Sequence, residues 1–186
     1  MLLLAISSCK QKTNPRQDQK KFISVPSLIN EQIAHIDSSL YVIVKTVTDD
    51  SLHTDSSFVK REDFKKEVAD FLLIPDLSDP KIAEQFKDEA PLYDESIGKV
   101  IIAYIPLDPQ SSIKKLQVLI DPNTLEGENI RSIIATITKG DRNGYLKKEM
   151  LWQIDRSCQV VTTSQLPGQP EKNTITRISW NEQQDQ

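Results

Sequence analysis

At 186 residues, 38% apolar and 27% charged, the chain is long enough for one domain with a buried core and too apolar to stay unfolded. A net charge of −4 and a pI near 5.3 exclude a nucleic-acid binder of the usual basic kind. Nowhere do about 20 apolar residues run together, so no stretch reads as a membrane-spanning helix.

The chain opens MLLLAISSCK. Leu2 to Ile6 form the stub of an export signal's apolar region, Ser7 and Ser8 are the small residues that precede a cleavage point, and Cys9 follows at once. Ile6-Ser7-Ser8-Cys9 resembles the lipobox of bacterial lipoproteins, with Ile6 where Leu is commoner. The resemblance implies that Cys9 becomes the first residue and carries acyl chains, which would tether the protein to a bilayer without a transmembrane helix. The basic leader is missing and the apolar stub is short, so the rest of the signal is expected upstream of Met1. The run CKQKTNPRQDQKK from Cys9 to Lys21 has no apolar residue after the cysteine, and such a composition buries too little to offset the entropy of ordering. The expected organisation is a signal remnant over 1–8, a polar tether over 9–24, one domain over 25–182 and a frayed tail over 183–186.

Lys10, Lys12, Arg16, Lys20 and Lys21 against Asp18 give the tether +4, which leaves −8 on the rest of a −4 chain. A basic leash favours anionic lipid heads, whereas an acidic body stays off them. Where surface exposure of a lipoprotein depends on an acidic run after the cysteine, this basic run implies the periplasmic side. The plainer alternatives are a cytosolic N-terminus with an incidental cysteine, and basic residues that only keep a linker soluble.

From Ser27, Ile29, Ile33, Ile36, Leu40, Ile43 and Val47 recur at steps of four and three, which predicts a helix over Ser27 to Thr48 that begins near Pro26. The β-branched stretch Leu40 to Val47 also suits a strand. TDDSLHTDSS is then a connection. A second helix carries Phe64, Val68, Phe71 and Leu72 on one face, with Ser56 or Ser57 as cap and Pro75 as its end. A short third starts at Ser78 or Asp79 with Pro80 just inside, and carries Ile82, Ala83 and Phe86.

After Pro91 the period changes to that of strands. KVIIAYI reads as a strand covered on both faces, and LQVLI follows. NIRSIIATITK meets GYLKKEMLWQI across GDRNG, and CQVVTTSQL meets TITRISW across PGQPEKN. The fold expected is α+β: about three N-terminal helices packed on one face of a six-stranded antiparallel meander sheet. Curved sheets with a covering helix recur among envelope lipoproteins and their carriers, and this order is similar to that broad set.

Candidate chemistry is sparse. His35 and His53 are the only histidines and show no metal-ligand spacing, so no metal or cofactor is expected. Cys158 reads as a core or sheet residue, with a Cys9–Cys158 disulfide as the rival. Asp49, Asp50 and Asp55 crowd one loop but lack the spacing of a calcium loop. The pairs Asp88/Glu89, Asp94/Glu95 and Glu126/Glu128 read as solvated loop carboxylates rather than catalytic ones. Tyr104, Trp152 and Trp180 would line a ligand groove if the sheet curves, or else pack under the helices. Three function classes follow: a non-catalytic lipid-anchored envelope protein that binds or scaffolds, a carrier or chaperone for an apolar ligand or extended peptide, and, least favoured, a hydrolase with a dispersed site. The membrane, reached through Cys9, is the one partner the sequence implies.

Overall fold

The computed structural model describes residues 23–122 and 130–181. Cys9, the tether to residue 22, the Glu126/Glu128 pair and the tail 183–186 lie outside the described residues.

Helix α1 spans Val25–Ser38 and buries Val25, Ile29, Ile33 and Ile36. Ser24 caps it: its hydroxyl accepts from the Ser27 N–H at 3.3 Å and donates to Asp76 at 3.0 Å. Its end differs from the expected Thr48. The Ser38 hydroxyl donates to the Ala34 and His35 carbonyls, and the Ser39 hydroxyl to that of Ile36 at 2.8 Å. These serines satisfy carbonyls that a further turn would have used, so the helix stops and the chain turns extended. Leu40, expected on the buried stripe, is 92% exposed.

Strand β1 follows at Val44–Asp49 and β2 at Thr54–Phe58, so the expected connection TDDSLHTDSS is mostly a hairpin. Helix α2 is short, Arg61–Glu67, and runs into a 3-10 turn over Ala69–Leu73. Its cap position is Lys60, whose side chain makes no capping bond; Ser56 and Ser57, the expected caps, belong to β2. Helix α3 is a single turn, Pro80–Ala83, capped by Asp79, which accepts from the Lys81 N–H at 2.8 Å. Phe86, expected on that helix, starts β3 (Phe86–Asp88), and β4 is Leu92–Asp94.

Six longer strands form the meander: β5 Lys99–Pro106, β6 Ile113–Ile120, β7 Ile130–Asp141, β8 Gly144–Gln153, β9 Ser157–Gln165 and β10 Lys172–Ser179. Each pairs antiparallel with the next in sequence. The sheet then extends at both sides. β1 joins β10 and β2 joins β1, while β3 and β4 both pair with β5. The expected six-stranded sheet under three helices is therefore overturned: among the described residues there are ten antiparallel strands, which make up 47% of those residues against 20% helix.

Cross-strand register writes the core as rows. Ile102, Val118, Ile133, Trp152, Cys158 and Ile178 lie side by side across β5 to β10, and Tyr104, Leu116, Ala135, Met150 and Val160 form the next row. Both rows face α1, α2 and the 3-10 turn, and these elements form one cluster. Alternation puts Gln117, Ile134, Leu151, Gln159 and Arg177 on the opposite face, where a mixed polar surface meets water. Lys148, on the helix side of β8, reaches both oxygens of Asp70 at 2.7 and 2.6 Å and ties the 3-10 turn to the sheet.

Candidate functional site

The three aromatics singled out from the sequence share the core. Tyr104, Trp152 and Trp180 are 5%, 0% and 4% exposed, so all three side chains pack inside rather than on a surface. Trp152 and Trp180 lie 5.4 Å apart; Phe71 stands edge-to-face with Trp152 at 5.1 Å and Phe64 with Trp180 at 5.4 Å. Both indole Nε1 atoms are buried with no hydrogen-bond partner. The phenyl rings around them are weak π acceptors at best, so each N–H keeps part of its desolvation cost. Tyr104 belongs to the same cluster, on β5.

The titratable candidates stay apart. His35 is exposed in the last turn of α1, its ring 6.0 Å from that of Tyr41. His53 lies in the β1–β2 turn, 3.2 Å from Asp55, and both are exposed. Cys158 is a buried free thiol between Trp152 and Ile178, and burial pushes its pKa up to about 12. It is a packed sheet residue rather than a nucleophile. No group of three or more His, Cys, Asp or Glu among the described residues is placed to hold a metal ion.

The acidic loop residues are engaged in local structure. Asp49 accepts from the Ser51 hydroxyl at 2.6 Å, the Ser51 N–H and the His53 N–H, and the Ser51 hydroxyl leads in holding its carboxyl below the usual range. Asp50 receives the Asn173 N–H on both oxygens at 2.9 Å, which pins the hairpin to β10. Asp94 is held low in the same way as Asp49, by the Ser96 hydroxyl at 2.6 Å and then the Ser96 N–H.

The surface feature that sequence reading missed lies where the β7–β8 hairpin tip meets the β9–β10 loop. Two adjoining recesses of about 520 and 430 Å³ share Gly140, Asp141, Gly144, Tyr145 and Leu166. One extends to Pro167 and Gly168; the other takes in Lys139, Leu146 and Ser164. Two glycines make this shape possible. Gly140 pairs with Tyr145, whose ring lies 3.6 Å from where a Cβ would stand. Gly144, at φ +150°, brings its backbone so close to the next strand that a Cβ would fall 2.8 Å from the Gln165 carbonyl oxygen. Asp141 is taken by the Asn143 N–H at 2.7 Å, so the recess offers an aromatic ring, a leucine and a proline beside peptide groups. That is a surface for contact, with Lys139 and Ser164 at the side of the second recess. GDRNG and PGQP carried the signal as turns, but their meeting depends on register. No protein-family model matches the chain, and neither a curated protein nor a solved structure matches it.

Proposed function

We propose that the chain is a lipid-anchored lipoprotein of the bacterial cell envelope, facing the periplasm and acting by binding or scaffolding rather than catalysis. The observation that carries this reading is Ile6-Ser7-Ser8-Cys9 followed by a run without apolar residues up to Lys21, ahead of a body whose first helix is capped at Ser24. The leash from Cys9 to Ser24 spans at most about 50 Å when extended, enough to let the body stand off a bilayer. The groove beside Tyr145, Leu166 and Pro167 supplies a contact surface of the mixed apolar and peptide kind that binding needs.

The buried state of Cys158 makes the test clean. The chain has two cysteines, and the second is 3% exposed with its pKa pushed up to about 12, so an acyl label reports on Cys9 alone. Metabolic labelling with an alkynyl palmitate is expected to mark wild type and a Cys158→Ala variant, and to vanish in Cys9→Ala. Absence of label on wild type, or label that survives Cys9→Ala, removes the reading.

A second reading is a carrier for an apolar ligand or extended peptide; the specific feature in its favour is the groove in which Tyr145, Leu166 and Pro167 lie beside open peptide groups. Native mass spectrometry of the extracted protein, with tryptophan emission followed during lipid titration, tests it. No retained ligand and no spectral change retire it.

A further inference from the structure

The last strand of the sheet, β2, ends on an open edge. The Asp49 N–H bonds to the His53 carbonyl and the Val59 N–H to that of Ile43, so odd-numbered residues of this strand turn their polar groups toward β1. Alternation then turns the backbone N–H and C=O of Thr54, Ser56 and Phe58 outward. All five residues of β2 are exposed, and the strand carries neither lysine nor proline, the usual guards of a free edge. Phe58 is 81% exposed opposite Val44, and Leu52, in the turn beside the strand, is 83% exposed. Leu52 also holds φ at +61°, a conformation that favours glycine or asparagine. Leu52 thus stands strained and in water at the turn beside the open edge.

The geometry points to that partner being a second copy of this chain, joined through β2 about a two-fold axis at Ser56. The three outward residues are symmetric about Ser56, so antiparallel pairing sets Thr54 opposite Phe58 of the second copy and Ser56 opposite Ser56, three pairs that exchange two bonds each. The same register sets Asp55, the one charge on the strand, opposite a serine hydroxyl rather than another carboxylate. It also carries the Phe58 ring over Thr54 of the other copy and toward its Leu52, so the two exposed apolar residues of the hairpin shield each other twice per dimer. Beside the strand a recess of about 230 Å³ lined by Lys45, Ser57, Phe58, Lys60, Asp63 and Glu67 holds both signs of charge, which suits an edge meeting its own copy. One short strand and one phenyl ring per side bury less than the ~1,200 Å² of a standard stable interface, so the dimer is weak, with Kd on the order of 10–500 µM. The pairing does not depend on the acyl anchor, although two chains on one membrane would meet at raised effective concentration.

The test is sedimentation equilibrium of the full chain, with Cys9→Ala to remove its thiol, from roughly 5 µM to 1 mM. A reversible monomer–dimer equilibrium is expected. Ser56→Pro removes only an outward N–H and should give a monomer throughout, with unchanged circular dichroism. Should that variant unfold, Phe58→Asp at the exposed ring must weaken the dimer at least tenfold. Register is read by oxidation. Ser56→Cys should crosslink, since paired Cα atoms stand ~5.5 Å apart across the axis. Thr54→Cys should not, because the axis leaves its two copies roughly 13 Å apart along the strands. A wild type that stays monomeric to the highest concentration, species that grow beyond the dimer, a dimer indifferent to both edge variants, or equal crosslinking at 54 and 56 overturns the proposal.

Discussion

Replacing Phe64 with alanine opens a hole where α2 meets both indoles. The ring is 1% exposed and stands edge-to-face with Trp180 at 5.4 Å and with Trp152 at 6.5 Å. Truncating a buried phenylalanine costs about 3–5 kcal/mol, of which each aromatic contact supplies ~0.5–1.5. For a chain of this length that lowers Tm by roughly 6–20 °C. Helix α2 has seven residues, no side-chain cap and Phe64 as its buried side chain, so apart from the Lys45–Glu67 ion pair at 2.7 Å its hold on the sheet rests on that ring and on Val68 and Phe71 just beyond it. The internal control is Phe58→Ala, the same chemical change at a ring that is 81% exposed, which should stay within about 0.5 kcal/mol at low concentration. Urea unfolding followed by the emission of Trp152 and Trp180 measures both, because the two tryptophans of the chain are buried in the core and global unfolding exposes them. Equal losses at 64 and 58, or a loss below about 1 kcal/mol at 64, would refute the reasoning that this cluster fastens the helices.

Further tests concern single groups. Burial pushes the Asp76 carboxyl up, but the Ser78 hydroxyl, the Ser78 N–H and the Ser24 hydroxyl outweigh it and hold the pKa below 3.8. Its contribution is therefore complete above 3.8 and is lost as pH falls through the lowered value; Ser78→Ala should flatten that acid decline in urea titrations, and an unchanged slope would contradict the assignment. Cys158 has the opposite sign: with its pKa raised from 9.0 to about 12, its stabilisation is whole below 9.0 and lost between those values, so Cys158→Ala should reduce alkaline destabilisation. A thiol reagent reacting with native Cys158 at neutral pH would contradict its burial. Leu52→Gly relieves the positive φ and should raise stability by about 0.5–1 kcal/mol, net of the added chain entropy, while weakening self-association; a loss of stability would show that the turn is not strained.

The back half of the chain was legible because its signals are local. GDRNG and PGQPEKN mark turns between runs whose alternation fixes which side is buried, so Met150 and Trp152 could be put on one face of β8 from the sequence. The front half was not, for three separate reasons. The four-and-three spacing that predicts a long helix continues past Ser39 by coincidence, and the serines that end the helix look like weak helix residues rather than stops. Strand β2, Thr-Asp-Ser-Ser-Phe, has no apolar alternation because both of its faces meet water; only pairing with β1 makes it a strand. β3 and β4 have three residues each, too few for any period to show, and exist because β5 offers them an edge. The groove beside Tyr145 needed the register of β8 on β9, which places Tyr145 against Gln165 and which composition does not encode. The aromatics were found, but their depth depends on helices whose lengths were misjudged.

The most direct measurement is the intact mass of the N-terminal peptide from protein extracted with detergent out of native envelopes. The account requires a peptide that begins at Cys9 and is heavier than its sequence by the mass of attached acyl chains. A peptide of unmodified mass that still carries Leu2 to Ser8, recovered from the soluble fraction, would contradict it.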